Sequence, residues 1–138
     1  ETSRAAEYYV LFLNGYYDDG EKVQENVIGI SLGDTPVIAI FKEVITSSKY
    51  SFFNSAIMEQ GTLVHEFGHC LGLVEFGIPM AIDHQDPEHP YHCINSRCAM
   101  NWQFEGGDMS AFSMMFVETG TVIMFCDECL EDTTAYTP

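Results

Sequence analysis

Residues 62–75, TLVHEFGHCLGLVE, set His65 and His69 four residues apart, with Glu66 directly after the first histidine and Gly72 three residues after the second. On a helix, positions i and i+4 share a face. Such a pair can aim both imidazoles at one ion, with the glutamate beside them to take a proton from water at the metal. The surrounding pattern predicts that helix. From Asn54 or Ser55, either a fair N-cap, Ile57, Leu63, Val64, Phe67 and Leu71 fall near i, i+3/i+4, i+7 spacing up to a stop near Gly72. Two histidines and a glutamate are costly to bury there without partners, so a metal-free reading must leave this face exposed.

Before the helix the chain reads as strand. EYYVLFLN (7–14), NVIGIS (26–31) and PVIAIFKE (36–43) are rich in branched and aromatic residues, and Gly33-Asp34 suits a tight hairpin between the last two. After it, Gly77 to Trp102 is rich in Pro, His, Asp and Asn without periodicity. That predicts an ordered irregular loop, and loops of this length in compact domains are usually functional. MSAFSMMFVETGTVIMF (109–125) reads equally as a hairpin or as a helix with a short extended piece. The expectation is an α+β fold: a small mixed β-sheet packed on the His65-Glu66-x-x-His69 helix, with an irregular metal-binding loop region.

With 138 residues, 46% of them hydrophobic, the chain suits one domain spanning 1–138. Its 21 acidic residues against 5 basic ones repel phosphate backbones and anionic headgroups, so nucleic acid is not an expected partner. The sequence has no apolar run of about 18 residues, so no membrane span is expected either. A chain beginning at Glu1 rather than Met reads as a mature form or a trimmed piece, which favours an extracytoplasmic location.

Further along, HPYHCINSRCAMNW holds His92-Cys93, then Cys98 and Met100, and CDEC supplies Cys126 and Cys129. Cysteines in CxxxxC and CxxC pairs suit a tetrahedral thiolate zinc site, each short loop offering two sulfurs. Disulfides between the pairs are the rival, favoured by export. Together with residues 62–72, this run resembles the archaemetzincin zinc proteases over roughly 62–129. Their pattern is HExxHxxGxxHC, four residues, CxM, and a later CxxC. The resemblance implies a metzincin-like fold and a catalytic zinc on His65, His69 and His92, with Glu66 as general base. It also implies Met100 as the Met-turn beneath the metal, and a structural zinc on Cys93, Cys98, Cys126 and Cys129. This chain departs from the pattern in placing 19 residues between Gly72 and His92 where the family has two. A loop of any length can return to the metal if its end is anchored, and Cys93 on a structural zinc would anchor His92.

Glu75, at the ordinary spacing, competes for the third ligand position, as do His84 and His89 within loop reach. Histidines that lose that competition would pack through hydrogen bonds, with Asp83 or Asp86 orienting a ligand imidazole. Cys70 is left over as a small hydrophobe, and Tyr91, Trp102 and Phe104 are candidates to line a pocket. The reading is a zinc metallopeptidase acting on a peptide or protein substrate, which pairs in extended form against PVIAIFKE as an edge strand. A non-catalytic zinc-stabilised binding domain with an acidic working surface is the alternative, and a hydrolase of non-peptide amides is a third. Residues 15–25 are too short and turn-rich for the helix that metzincin-like domains carry between early strands, so the chain also reads as a piece of a longer enzyme.

Overall fold

The computed structural model describes residues 6–33, 35–47, 55–106 and 124–136. The expectations for 109–123, for Asp34 and for Asn54 lie outside these residues.

Val37–Phe41 (VIAIF) is apolar at every position, so it can be buried on both faces, and it forms the centre of a three-stranded sheet. We label the strands β1 (Tyr9–Leu13), β2 (Tyr17–Asp18), β3 (Val23–Gln24), β4 (Gly29–Ser31) and β5 (Val37–Phe41). The sheet order is β1-β5-β4. β1 runs parallel to β5 from Tyr9 opposite Val37 to Leu13 opposite Phe41, and β4 runs antiparallel with Ile30 opposite Ala39. The expected β4–β5 hairpin forms, closed by Leu32 N–H to Val37 O at 3.0 Å, with Gly33 at φ 52°.

Two expectations are corrected. PVIAIFKE is not an edge strand: β5 is central, and among the described residues β4 and β1 form the edges. Lys42 and Glu43 belong instead to a short helix, α1 (Lys42–Ser47), which follows β5 directly. Residues 15–25 hold the small β2–β3 hairpin, closed by Asp19, whose side chain accepts from the backbone of Glu21 and Lys22.

The predicted long helix, α2, runs Ser55–Cys70 and packs on β4 and β5. Its Met58, with Ile28, Ile38, Ile40, Phe41, Val44, Ile45 and Phe104, makes the main core. A Lys42–Glu59 ion pair ties α1 to α2. The helix stops in a Schellman arrangement: Leu73 N–H reaches Gly68 O (3.1 Å) and Gly72 N–H reaches His69 O (2.9 Å), with Gly72 left-handed at φ 84°. Residues 71–101 carry no helix or named strand, as the composition predicts, and lead into a 3-10 turn at Trp102–Phe104. A last helix, α3 (Asp127–Ala135), follows. Leu73, Val74, Cys93, Cys98, Met100 and Cys129 form a second, smaller core between the long loop and α3. Among the described residues no helix is long and apolar enough to cross a membrane.

Gly72 is the position where α2 must release the chain. A Cβ there would meet the backbone of Gly77 and Ile78 at 3.1–3.2 Å in a left-handed conformation. Gly72→Ala is expected to lower stability by about 1–2 kcal/mol in urea unfolding; an unchanged midpoint would show that the helix end relaxes freely.

Candidate metal centres

Two groups of metal-ligating side chains assemble on this frame. In each, one donor atom per residue lies within 4.8 Å of the others.

The first group is His65, His69, His92 and Glu105. His65 and His69 project from one face of α2, and their Nε2 atoms stand 3.2 Å apart. His65 is locked in orientation by its other nitrogen: Nδ1–H donates to the carbonyl of Ala99 at 2.6 Å, which leaves Nε2 as a bare lone pair. His92 is set the same way, with Nδ1–H donating to Pro90 O at 3.0 Å. Its Nε2 is buried and makes no hydrogen bond, with Glu105 Oε2 at 3.4 Å as a charged neighbour. The ring of His92 stacks against His65 (centroids 5.3 Å, 17°) and meets His69 edge-on at 5.1 Å. Lone pairs converging in a buried place repel one another unless a cation or proton lies between them. A tetrahedral ion with bonds of about 2.0–2.1 Å to nitrogen sets its donors about 3.3 Å apart. The 3.2 Å and 3.4 Å separations fit that geometry.

Burial shapes the electrostatics here. It pulls His65 down to about 4 despite the Ala99 hydrogen bond, and His69 down to about 3, where the positive neighbours His65 and His92 add to the effect. Glu66, almost fully buried, is pushed up to about 8 by burial and by the charge of Glu105, against hydrogen bonds from Ser31. Burial also pushes Glu105 upward. The close approach and charge of His92, with the charges of His65 and His69, outweigh it and hold that carboxyl below its ordinary value.

The second group is Cys93, Cys98, Cys126 and Cys129. The Sγ atoms of Cys93 and Cys126 are 3.7 Å apart, and those of Cys98 and Cys129 are 3.5 Å apart. A disulfide needs about 2.0 Å, and all five cysteines are free. Four sulfurs around an ion at about 2.3 Å lie about 3.8 Å from one another, close to what is seen. Hydrogen bonds from Cys126, Cys129 and Cys93 hold the Cys98 thiol far below the ordinary range, while Cys126, Cys93 and Cys98 push Cys129 far above it. Deprotonated together, four such sulfurs are a donor set that a cation can take up.

The other candidate ligands lie elsewhere. Glu75 is exposed, at φ 60°. His89 stacks on Trp102 (centroids 4.1 Å, 9°) and pairs with Asp86 at 3.1 Å, so Asp86 does not orient a ligand imidazole. His84 is buried against α3: Nε2–H donates to Asp132 Oδ2 at 2.9 Å, Nδ1 lies 4.0 Å from Cys129 Sγ, and Asp132 Oδ1 accepts from Ala81 N–H at 2.8 Å. Met100 is fully buried under α2, where Gly68 leaves room for its sulfur; a side chain at 68 would strike Met100 and Phe125. Cys70 is half-buried, and burial, then the charge of Glu66, raises its thiol. Phe104 belongs to the core, whereas Tyr91 lines a cavity of about 190 Å³ with Ile30, Ser31, His69, Phe76, His92 and Glu105.

Sequence reasoning missed Glu105 and Asp132. Asp132 follows Cys129 by three residues, a same-face spacing that could have flagged it. Glu105 is one carboxylate among 21 acidic residues and carries no spacing signal. Compared with protein-family models, curated proteins and solved structures, the chain matches none.

Cys126→Ser is expected to remove one metal equivalent and destabilise the fold; a retained metal count would show that the sulfurs hold no ion. In metal-free protein, His65 and His69 are depressed below 6.5, so their contribution to stability is complete above that value and is lost as pH falls toward 3. Glu66 is raised, so its contribution is complete below 4.5 and is lost as pH rises toward 8. Urea unfolding after chelation should therefore weaken on both sides of pH 6.5. Glu66→Gln should remove the alkaline decline, and an alkaline decline that persists unchanged would remove Glu66 from that account.

Proposed function

We propose that this chain is a zinc-dependent peptidase of archaemetzincin-like, metzincin type. The observation that carries the reading is the meeting of three buried imidazoles with His65 and His92 locked through Nδ1, beside a buried glutamate that follows the first histidine. His65, His69 and His92 would hold the catalytic ion, and Cys93, Cys98, Cys126 and Cys129 a structural one. When bound, zinc supplies a Lewis acid that polarises a carbonyl and acidifies water.

The chain's own residues do the rest. Glu66 accepts a proton from the attacking water as its oxygen bonds to the peptide carbonyl carbon. It returns that proton to the amide nitrogen as the C–N bond breaks. This requires the carboxylate form, which burial opposes and a neighbouring cation favours. β4 replaces PVIAIFKE as the strand for an extended substrate, since among the described residues it is an edge and its Ile30 and Ser31 line the cavity beside His69 and His92. Gly29 lets this strand lie close on α2: a Cβ there would come within 2.6 Å of Thr62 Cγ2 and 3.1 Å of Glu66 Cγ. Tyr91, half exposed and edge-on to Phe76, forms an apolar wall of the same cavity.

One observation favours a second reading. Glu105 Oε2 beside His92 offers a fourth donor, and an ion closed by four side chains would make the domain a zinc-stabilised binding module with an acidic surface.

Hydrolysis decides between them. Glu66→Gln is expected to keep its metal content by elemental analysis and to lose peptide hydrolysis about 10²–10⁴-fold. Equal activity in that variant would remove Glu66 as the base, and no hydrolysis in the metal-loaded parent would favour the binding module. His92→Ala should lower bound metal far more than Glu75→Ala, and the reverse order would move the third ligand to Glu75.

A further inference from the structure

We infer that Glu105 is a fourth, displaceable protein ligand of the ion held by His65, His69 and His92, and that it covers the position where water and substrate must act. The inference rests on the reading of those three histidines as a metal site.

Its grounds are positional. Glu105 ends the 3-10 turn that follows Met100, its N–H donating to Trp102 O at 3.1 Å and its carbonyl accepting from Ile28 N–H at 3.3 Å. Gly106 bridges to Val27, so the residue is held by its own turn on one side and by the segment entering β4 on the other. The side chain is thereby delivered to the cavity that His69 and His92 line, with Oε2 3.4 Å from the bare Nε2 of His92. That separation matches the donor spacing between His65 and His69 across the same site. Its geometry with His92 is not that of a hydrogen bond, since His92 Nε2 has no such partner. Two donor atoms at this separation, without hydrogen-bond geometry between them, suit an ion that both could reach.

Glu105 is also the half-exposed member of a group whose histidines are buried. It is therefore the donor that solvent or substrate can reach and push aside. A resting enzyme with Glu105 bound is latent, and an incoming ligand must displace it. If Glu105 is bound nine times in ten, it weakens a competing ligand about tenfold.

The test uses the full chain loaded with cobalt(II), compared as parent, Glu105→Gln and Glu105→Asp. Thiolate charge-transfer bands report the cysteine site, which also has d–d bands of its own; the d–d bands that respond to acetohydroxamate report the histidine site, and the titration reports access to its ion. The expected result is altered d–d bands and about tenfold tighter hydroxamate binding in both variants, because neither shorter Asp nor neutral Gln can take the ligand place. Unchanged d–d bands in Glu105→Gln would overturn the inference. So would Glu105→Asp matching the parent while Gln does not, since charge alone would then suffice. Charge-transfer bands without d–d bands from the histidine site in the parent would overturn the metal reading itself along with this inference.

Discussion

Four sulfur atoms from two segments, with Cys98 and Cys126 28 residues apart, fix where the long loop of this protein must run. Cys93 and Cys98 carry the loop to α3, and the neighbours of those cysteines do the remaining work. His92, one residue before Cys93, is set beside the α2 histidines. Ala99, one residue after Cys98, offers its carbonyl to His65 Nδ1–H. Met100 follows and fills the space that Gly68 leaves under α2. One cluster of sulfurs thus positions His92, orients His65 and supports the helix that bears His65 and His69. The two donor groups are parts of one construction joined by a few peptide units.

This economy explains how the 19 residues between Gly72 and His92 can be accommodated. Loop closure costs only about 0.6 kcal/mol for each doubling of length, so the return of His92 depends on its anchor and hardly on the spacing. These residues are secured at a point of their own. His84 spans from the loop to Asp132, which also accepts from Ala81, and all three groups lie against the helix that supplies Cys129. A histidine that competes on sequence grounds for a place among the metal ligands is here a strut.

Local pattern made α2 legible, because the period of Ile57, Leu63, Val64, Phe67 and Leu71 and the glycine stop are written within 16 residues. The cysteine spacing was legible for the same reason: each pair is a short loop with fixed reach. The hairpin at Gly33 followed from turn chemistry. What local pattern could not carry was strand order. VIAIF reads alike as an edge or a centre, and only the parallel pairing with β1, across 23 intervening residues, decides it. Glu105 escaped notice because its role depends on a backbone bridge to Val27, a contact with no signature along the chain. The third ligand stayed open among four residues for a related reason, since tautomer-fixing partners such as Pro90 O are main-chain atoms that the sequence does not distinguish.

The smaller core has a consequence of its own. Three of its six buried members are cysteines, so half of its side chains are also the donors of a candidate ion site. The sheet and α2 are held by aliphatic burial, which the chain always possesses. If the four sulfurs hold an ion, the region around α3 would be held in part by a solute whose contribution grows as RT ln(1 + [M]/Kd). The aliphatic core and the cysteine core would then differ in character, the first independent of metal and the second dependent on it. With the ion scarce, the region that delivers His92 would loosen first, so the assembly of the histidine group would follow metal supply at the cysteine group.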